Sequence, residues 1–119
     1  MSDALGKHEQ IKQIALSLLV RTDELLAAGW TRNTMALDAS HRPCDPESYR
    51  ACYFCWLGAF MRAKADLHVG RSVFFAEVLE LLQSHLGDYE DWVDFNDKQR
   101  SVSGVRKQVQ AAIRKIEAS

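Results

Sequence analysis

The chain has 119 residues, 47% of them hydrophobic and 26% charged, with 15 basic against 16 acidic side chains and a formal net charge of −1. One core of ordinary size fits that length and a second domain does not, so residues 1–119 read as a single domain that buries about two-thirds of its unfolded surface. The composition is that of an ordinary globular protein and does not indicate disorder, and the near-neutral charge gives no global attraction to nucleic acid or to anionic lipid. The N-terminus MSDALGKHEQ is polar and unlike a signal peptide, and no apolar run is long enough to span a bilayer. With three cysteines, an odd count, the expectation is a reducing cytoplasm, not a disulfide framework.

In chain order, Leu5, His8, Ile11, Ala15, Leu18, Thr22 and Leu25 recur at spacings of three and four, which is one face of a helix. Ile14, Leu16, Leu19, Val20 and Leu26 widen that stripe, so this helix is expected to be contacted from two sides. Ser2 or Asp3 is placed to cap its start, and Gly29 to close it in the left-handed conformation that glycine favours.

The period disappears from Trp30 to Cys44, and the stretch WTRNTMALDASHRPC has the Asn, Asp, Ser and Pro of a connector. Helical domains mostly use shorter links. This one is therefore expected to be packed by its own Trp30, Met35 and Leu37, with a short extended piece. Asp45-Pro46-Glu47 then has the marks of a helix start, with Asp at the cap and Pro in the first turn, so the second helix is predicted from Pro46 to about Leu67. Val73 to Leu86 is predicted as a third helix burying Phe75, Val78, Leu79, Leu82 and Leu86, with Gly87 ending it. The run DYEDWVDFND reads as an acidic connector, and a last helix capped by Ser101 or Ser103 aligns Val102, Val105, Val109, Ala112, Ile113 and Ile116. The expected fold class is all-α: a compact four-helix, bundle-like domain with one long irregular loop between the first two helices.

The sharpest chemical question is YRACYFCWLGAF. On a helix, Cys52, Cys55 or Trp56, Ala59, Phe60 and Ala63 share the core-facing stripe, so the preferred account is two packed thiols. Adding His41 and Cys44 makes a weak candidate zinc set of His41, Cys44, Cys52 and Cys55, which has the right ligand types but lacks a knuckle glycine. A redox pair is disfavoured because such a motif opens a helix and Cys52 is expected to lie well inside one. Glycine-rich phosphate loops, nucleophile elbows and metalloprotease or calcium-loop patterns are missing, and the four histidines are scattered. No cofactor is expected. Arg100, Arg106, Lys107, Arg114 and Lys115 make the last helix basic on its outer side, which is read as a solvated face.

Four segments, Gly29-Trp30, Met35-Ala36-Leu37-Asp38, Cys55-Trp56-Leu57-Gly58-Ala59-Phe60 and Phe95-Asn96-Asp97, resemble the bacterial and phage family known as domain of unknown function 6197. Its pattern runs GW, ARD, C-x-x-GAL and WND ahead of a helix. The resemblance spans Leu25 to Ala112, with Leu37 in place of Arg, Phe60 of Leu, Phe95 of Trp and Gly104 of Glu. It implies an architecture, brings no activity, and singles out Asp38, Cys55, Asn96 and Asp97. Two accounts compete for those residues. In the preferred one, Asn96 and Asp97 hold backbone groups in the turn before the last helix and Asp38 stitches the long loop. In the other, they converge at one end of the bundle and line a pocket with Trp30 and Trp92. The function expected is a small non-catalytic interaction or adaptor domain with a protein or small-ligand partner, self-association remaining open. A small-ligand or metal-dependent enzyme is the alternative, and nucleic-acid binding through the last helix ranks third.

Overall fold

The computed structural model describes residues 6–119. The described chain is mostly helical, and its elements are α1 (Lys7–Ala28), β1 (Ala36–Asp38), β2 (Ala51–Phe54), α2 (Trp56–Leu67), α3 (Phe75–Leu86), α4 (Tyr89–Lys98) and α5 (Val102–Ala118). The four-helix expectation is therefore corrected to five helices and a small antiparallel sheet. The expected cap at Ser2 or Asp3, like Leu5, lies outside the described residues.

α1 is the central rod. Ile11, Ala15, Leu18, Leu19, Thr22, Leu25 and Leu26 are buried, a stripe too wide for one neighbour, and α5, α2 and α3 all pack on it. The Thr22 hydroxyl, fully buried, satisfies itself by donating to the Leu18 carbonyl at 2.7 Å. α5 lays Val105, Val109, Ala112 and Ile116 into the core, as its period predicts. Ser101 stands at its start without a capping bond and instead meets the Ser103 hydroxyl at 3.0 Å.

Gly29 ends α1 in extended, not left-handed, backbone (φ −173°). Glycine is needed there for clearance: a Cβ would overlap the carbonyl oxygen of Cys52. Gly87 does take the left-handed φ of 82° that its place after α3 predicts. α3 itself starts later than expected, leaving Val73 85% exposed.

The helix predicted from Pro46 is a single turn followed by a strand. Asp45 Oδ1 accepts the Glu47 N–H at 2.8 Å and the Asp45 carbonyl accepts the Ser48 N–H at 2.9 Å. The carbonyls that a helix would have used next are taken by Arg62, whose Nη1 donates to Pro46 O at 3.2 Å and Ser48 O at 2.7 Å. Residues 51–54 then run extended against β1, with Ala36 opposite Phe54, Leu37 opposite Tyr53 and Asp38 opposite Ala51. That register skips Cys52, a β-bulge that turns it out to solvent. Packed thiols at both Cys52 and Cys55 are thus corrected, since only Cys55 is buried. Further bridges join Trp30 to Phe54 and Leu37 to Pro43 on the two outer edges.

The acidic run read as a connector is α4. Asp88 and Asp91 form a reciprocal capping box, with Asp91 N donating to Asp88 Oδ1 at 3.1 Å and Asp88 N donating to Asp91 Oδ2 at 2.9 Å. The helix buries Trp92 completely against α2, where its ring stacks on Trp56 at 5.4 Å and meets Phe60 edge-on at 5.0 Å.

Candidate functional site

The start of α2 is where the irregular segments meet. A helix leaves its first N–H groups without intrahelical partners, and here one local and one distant side chain satisfy two of them. Cys55 caps the helix, its Sγ accepting the Gly58 N–H at 3.3 Å. Asn96, reaching across from the last turn of α4, accepts the Trp56 N–H on Oδ1 at 3.0 Å.

Asn96 is fully buried and uses its whole hydrogen-bonding capacity: Oδ1 also accepts from Trp30 Nε1 at 2.8 Å, and Nδ2 donates to Thr31 O and Asp97 Oδ1, both at 3.1 Å. Asp97 Oδ1 in turn accepts the Asn33 N–H at 2.9 Å. The two residues therefore act over long range. They tie the 30–33 segment and the mouth of α2 to α4, and none of these bonds lies in the turn before the last helix.

The backbone follows the same focus. Phe54 N donates to Gly29 O at 3.0 Å, Thr31 N to Phe54 O at 3.1 Å, and Cys55 N to Met35 O at 3.1 Å. Gly58 is needed for that last approach, because a Cβ on it would overlap the Met35 carbonyl.

Of the residues singled out from sequence, Trp30, Cys55, Asn96 and Asp97 come together here. Trp92 borders them through its stack on Trp56, while its own Nε1 donates to Gly87 O at 3.0 Å. Asp38 does not join them. Its Oδ1 accepts the Ser40 and Arg42 N–H groups at 2.8 and 3.0 Å, closing the turn beyond β1, and those bonds, the one from Arg42 foremost, hold its carboxyl below the ordinary value of 3.8. The set of His41, Cys44, Cys52 and Cys55 is not assembled either. His41 stacks on Tyr53 at 4.6 Å and Cys52 Sγ lies 3.4 Å from Arg50 O. Among the described residues no three His, Cys, Asp or Glu are placed to share an ion.

Beside the hub lies a cavity of about 140 Å³ lined by Asn33, Thr34, Met35, Cys55, Val93 and Asp97. Burial raises the Cys55 thiol above its ordinary 9.0, and the Gly58 N–H opposes the rise. Met35 Sδ stands 4.0 Å from that sulfur. From sequence, Met35 is expected only in the packing of the long loop, not at a site. Its place in the Met35-Ala36-Leu37-Asp38 segment was the available signal.

No curated protein and no solved structure matches the chain. A family of unknown function (DUF6197) matches residues 12–115, a span that contains Gly29-Trp30, Met35, Cys55 to Gly58 and Asn96-Asp97, which the structure gathers at the mouth of α2. The chain belongs to this family of unknown function.

Proposed function

We propose that the chain is a single, non-catalytic interaction domain of the cytoplasm, and that the loop of residues 39–50 is the element it presents to a protein partner. The observation that carries this reading is a well-braced loop with a bare aromatic tip: Tyr49 is 84% exposed. The bracing comes from the Asp38 and Asp45 turns, from Arg50 N donating to Ser48 Oγ at 3.1 Å, and from the two Arg62 bonds to the loop's carbonyls. The Arg50 guanidinium sits 5.7 Å over the Tyr49 ring, and His41 and Arg42 are exposed nearby. Tyr and Arg are the residues that most often anchor interfaces, and a loop already ordered loses little entropy on docking. Asn96 and Asp97 act away from this loop, on residues 30–33 and the start of α2, and fit the reading as bracing of the scaffold.

The nucleic-acid reading draws less support, because Arg106 is turned inward to Asp23, with Nε donating to Oδ1 at 2.8 Å and Nη2 to Oδ2 at 3.1 Å. To test the proposal, a photoreactive phenylalanine analogue is placed at position 49 and, as a control, at position 117, in cells of the source. Position 49 should cross-link one protein that the control does not, and Arg42→Ala with Arg50→Ala should abolish the product. Identical cross-linking from both positions would sink it.

A further inference from the structure

The loop of residues 39–50 has a second flank besides its exposed tip. Pro46 and Ser48 rest their carbonyls on Arg62, and Glu47 between them forms one wall of a cleft of about 510 Å³ whose other lining includes Lys64, His68 and Arg71. Backbone shapes that far wall. His68 closes α2 in the left-handed region at φ 55°, with its N–H donating to Ala65 O at 3.2 Å and the Val69 N–H to Lys64 O at 3.3 Å, and this reversal brings Arg71 to the same cleft as Lys64. The Lys64 ammonium is held 5.4 Å above the Phe75 ring, so its stem is ordered before any partner arrives. Charge on this side of the molecule is unevenly committed. Asp38 and Asp45 accept backbone N–H groups of their own turns, and Asp66 is shared by Arg21 and Arg62. Arg42, Arg50, Lys64 and Arg71 take part in no ion pair among the described residues, and of the residues lining the cleft only Glu47 is acidic. Successive turns, with Ser48 N donating to Asp45 O at 2.9 Å and Ala51 N to Ser48 O at 3.1 Å, keep Glu47 and Arg50 close enough for one short segment to span both.

We propose that the partner of this loop presents an acidic segment, a short run of Asp and Glu side chains, with one carboxylate seated between Lys64, His68 and Arg71 and its neighbours met by Arg42 and Arg50 beside Tyr49. This rests on the interaction reading of the loop and names the chemistry of what docks there. Each guanidinium offers a planar fork that fits a carboxylate, Lys64 an ammonium and His68 an imidazole N–H, so donors without a partner converge where an acceptor-only side chain satisfies them. A basic or purely apolar segment would leave all four cations unpaired against it, and complementary charge both speeds the encounter and rejects such competitors. Nucleic acid fits less well, because a phosphate backbone calls for a continuous basic track and Glu47 interrupts this one. Glu47 therefore opposes acidic docking and limits its strength.

The probe is a fluorescein-labelled octa-glutamate peptide, titrated with the full chain at low ionic strength and read by fluorescence anisotropy. It should bind, and octa-lysine should not. Lys64→Ala with Arg71→Ala should weaken binding about tenfold, and Glu47→Gln should tighten it about threefold, the size expected for exposed charge pairs. Lys107→Ala with Arg114→Ala, which removes two exposed cations from α5, should change it little, and circular dichroism confirms the fold of each variant. Equal weakening by the two double variants would reduce the effect to net charge and overturn the proposal, as would absence of octa-glutamate binding or tighter binding of an oligothymidylate of equal charge. The cross-link at position 49 separates this inference from the reading beneath it. A partner still captured in full when Lys64→Ala and Arg71→Ala are present removes the acidic segment and leaves the loop, whereas peptide binding that follows the variants with no captured partner removes the loop's role and keeps the cleft's preference for carboxylates.

Discussion

Asn96 and Asp38 show how differently two Asx residues can be used. Removing the Asn96 amide leaves the Trp30 indole N–H and the Trp56 N–H without an acceptor in the interior, and each buried donor so orphaned costs about 1–3 kcal/mol. Asn96→Ala is therefore expected to destabilise the protein by about 3 kcal/mol or more, measured by denaturant melts, whereas Asp38→Ala opens only a solvent-side turn and should cost clearly less. Equal losses would contradict the hub. Asp38 also sets an acid dependence, because its folded carboxyl titrates below the ordinary 3.8. Its contribution is present above the unfolded value and is lost as pH falls through the lower, folded one. Asp38→Asn should accordingly show a shallower loss of stability than wild type as pH falls below the ordinary carboxyl value of 3.8; parallel acid curves would remove Asp38 from the account. For the thiols, exposure puts Cys52 first to alkylate, and burial with a raised titration keeps Cys55 last, the order that peptide mass mapping should return.

At the scale of elements, α1, α3 and α5 were legible because long apolar periods survive any local detail. The start of α2 was not. Asp45-Pro46-Glu47 has the chemistry of a helix start, but Arg62, 14 residues beyond Ser48, takes the carbonyls, and a distant guanidinium leaves no trace in a local window. The four-residue alternation of Ala51 to Phe54 is too short to tell from one helical face. In α4 the signal was present, since Asp88 and Asp91 stand at capping-box spacing, yet the acidic composition reads as connector. The site was half legible: the segments were right, but their convergence depends on pairings such as Trp30 to Asn96 that span 66 positions. Two element-level outcomes follow. Gly58→Ala drives a Cβ into the Met35 carbonyl and should cost about 2–3 kcal/mol by prising β1 from α2. In α5, Val109→Asp, at a fully buried position, should cost about 4 kcal/mol or more. Arg106→Glu, which sets a carboxylate against Asp23, should cost about 1 kcal/mol, and Lys107→Glu next to nothing. The sequence alone put Arg106 and Lys107 on the same solvated face. The Asp23 pair separates them, and equal effects of the two reversals would undo that distinction.

Across the whole molecule the cohesion is uneven. α1 is held by α5, α2 and α3, and α2 is held by α1, α4 and β2, but α3 has its one substantial packing partner in α1. It buries only Val78 and Leu82 completely. The supports at its edges are surface ones, the Lys7–Glu77 ion pair at 2.8 Å and Lys64 5.4 Å above the Phe75 ring, and exposed pairs of this kind contribute little against opening. The hub at the mouth of α2, by contrast, joins loop, strand and two helices through buried hydrogen bonds. Local opening should therefore begin at α3 while the α1–α2–α5 core and the hub stay closed. Native-state hydrogen exchange read by mass spectrometry checks this: amides of residues 76–86 should exchange through an opening of lower free energy than those of residues 11–26, and salt should leave that gap nearly unchanged. Protection in α3 equal to that in α1 would show instead that the molecule opens only as one unit, and that the burial of Val78 and Leu82 suffices to couple α3 to the rest.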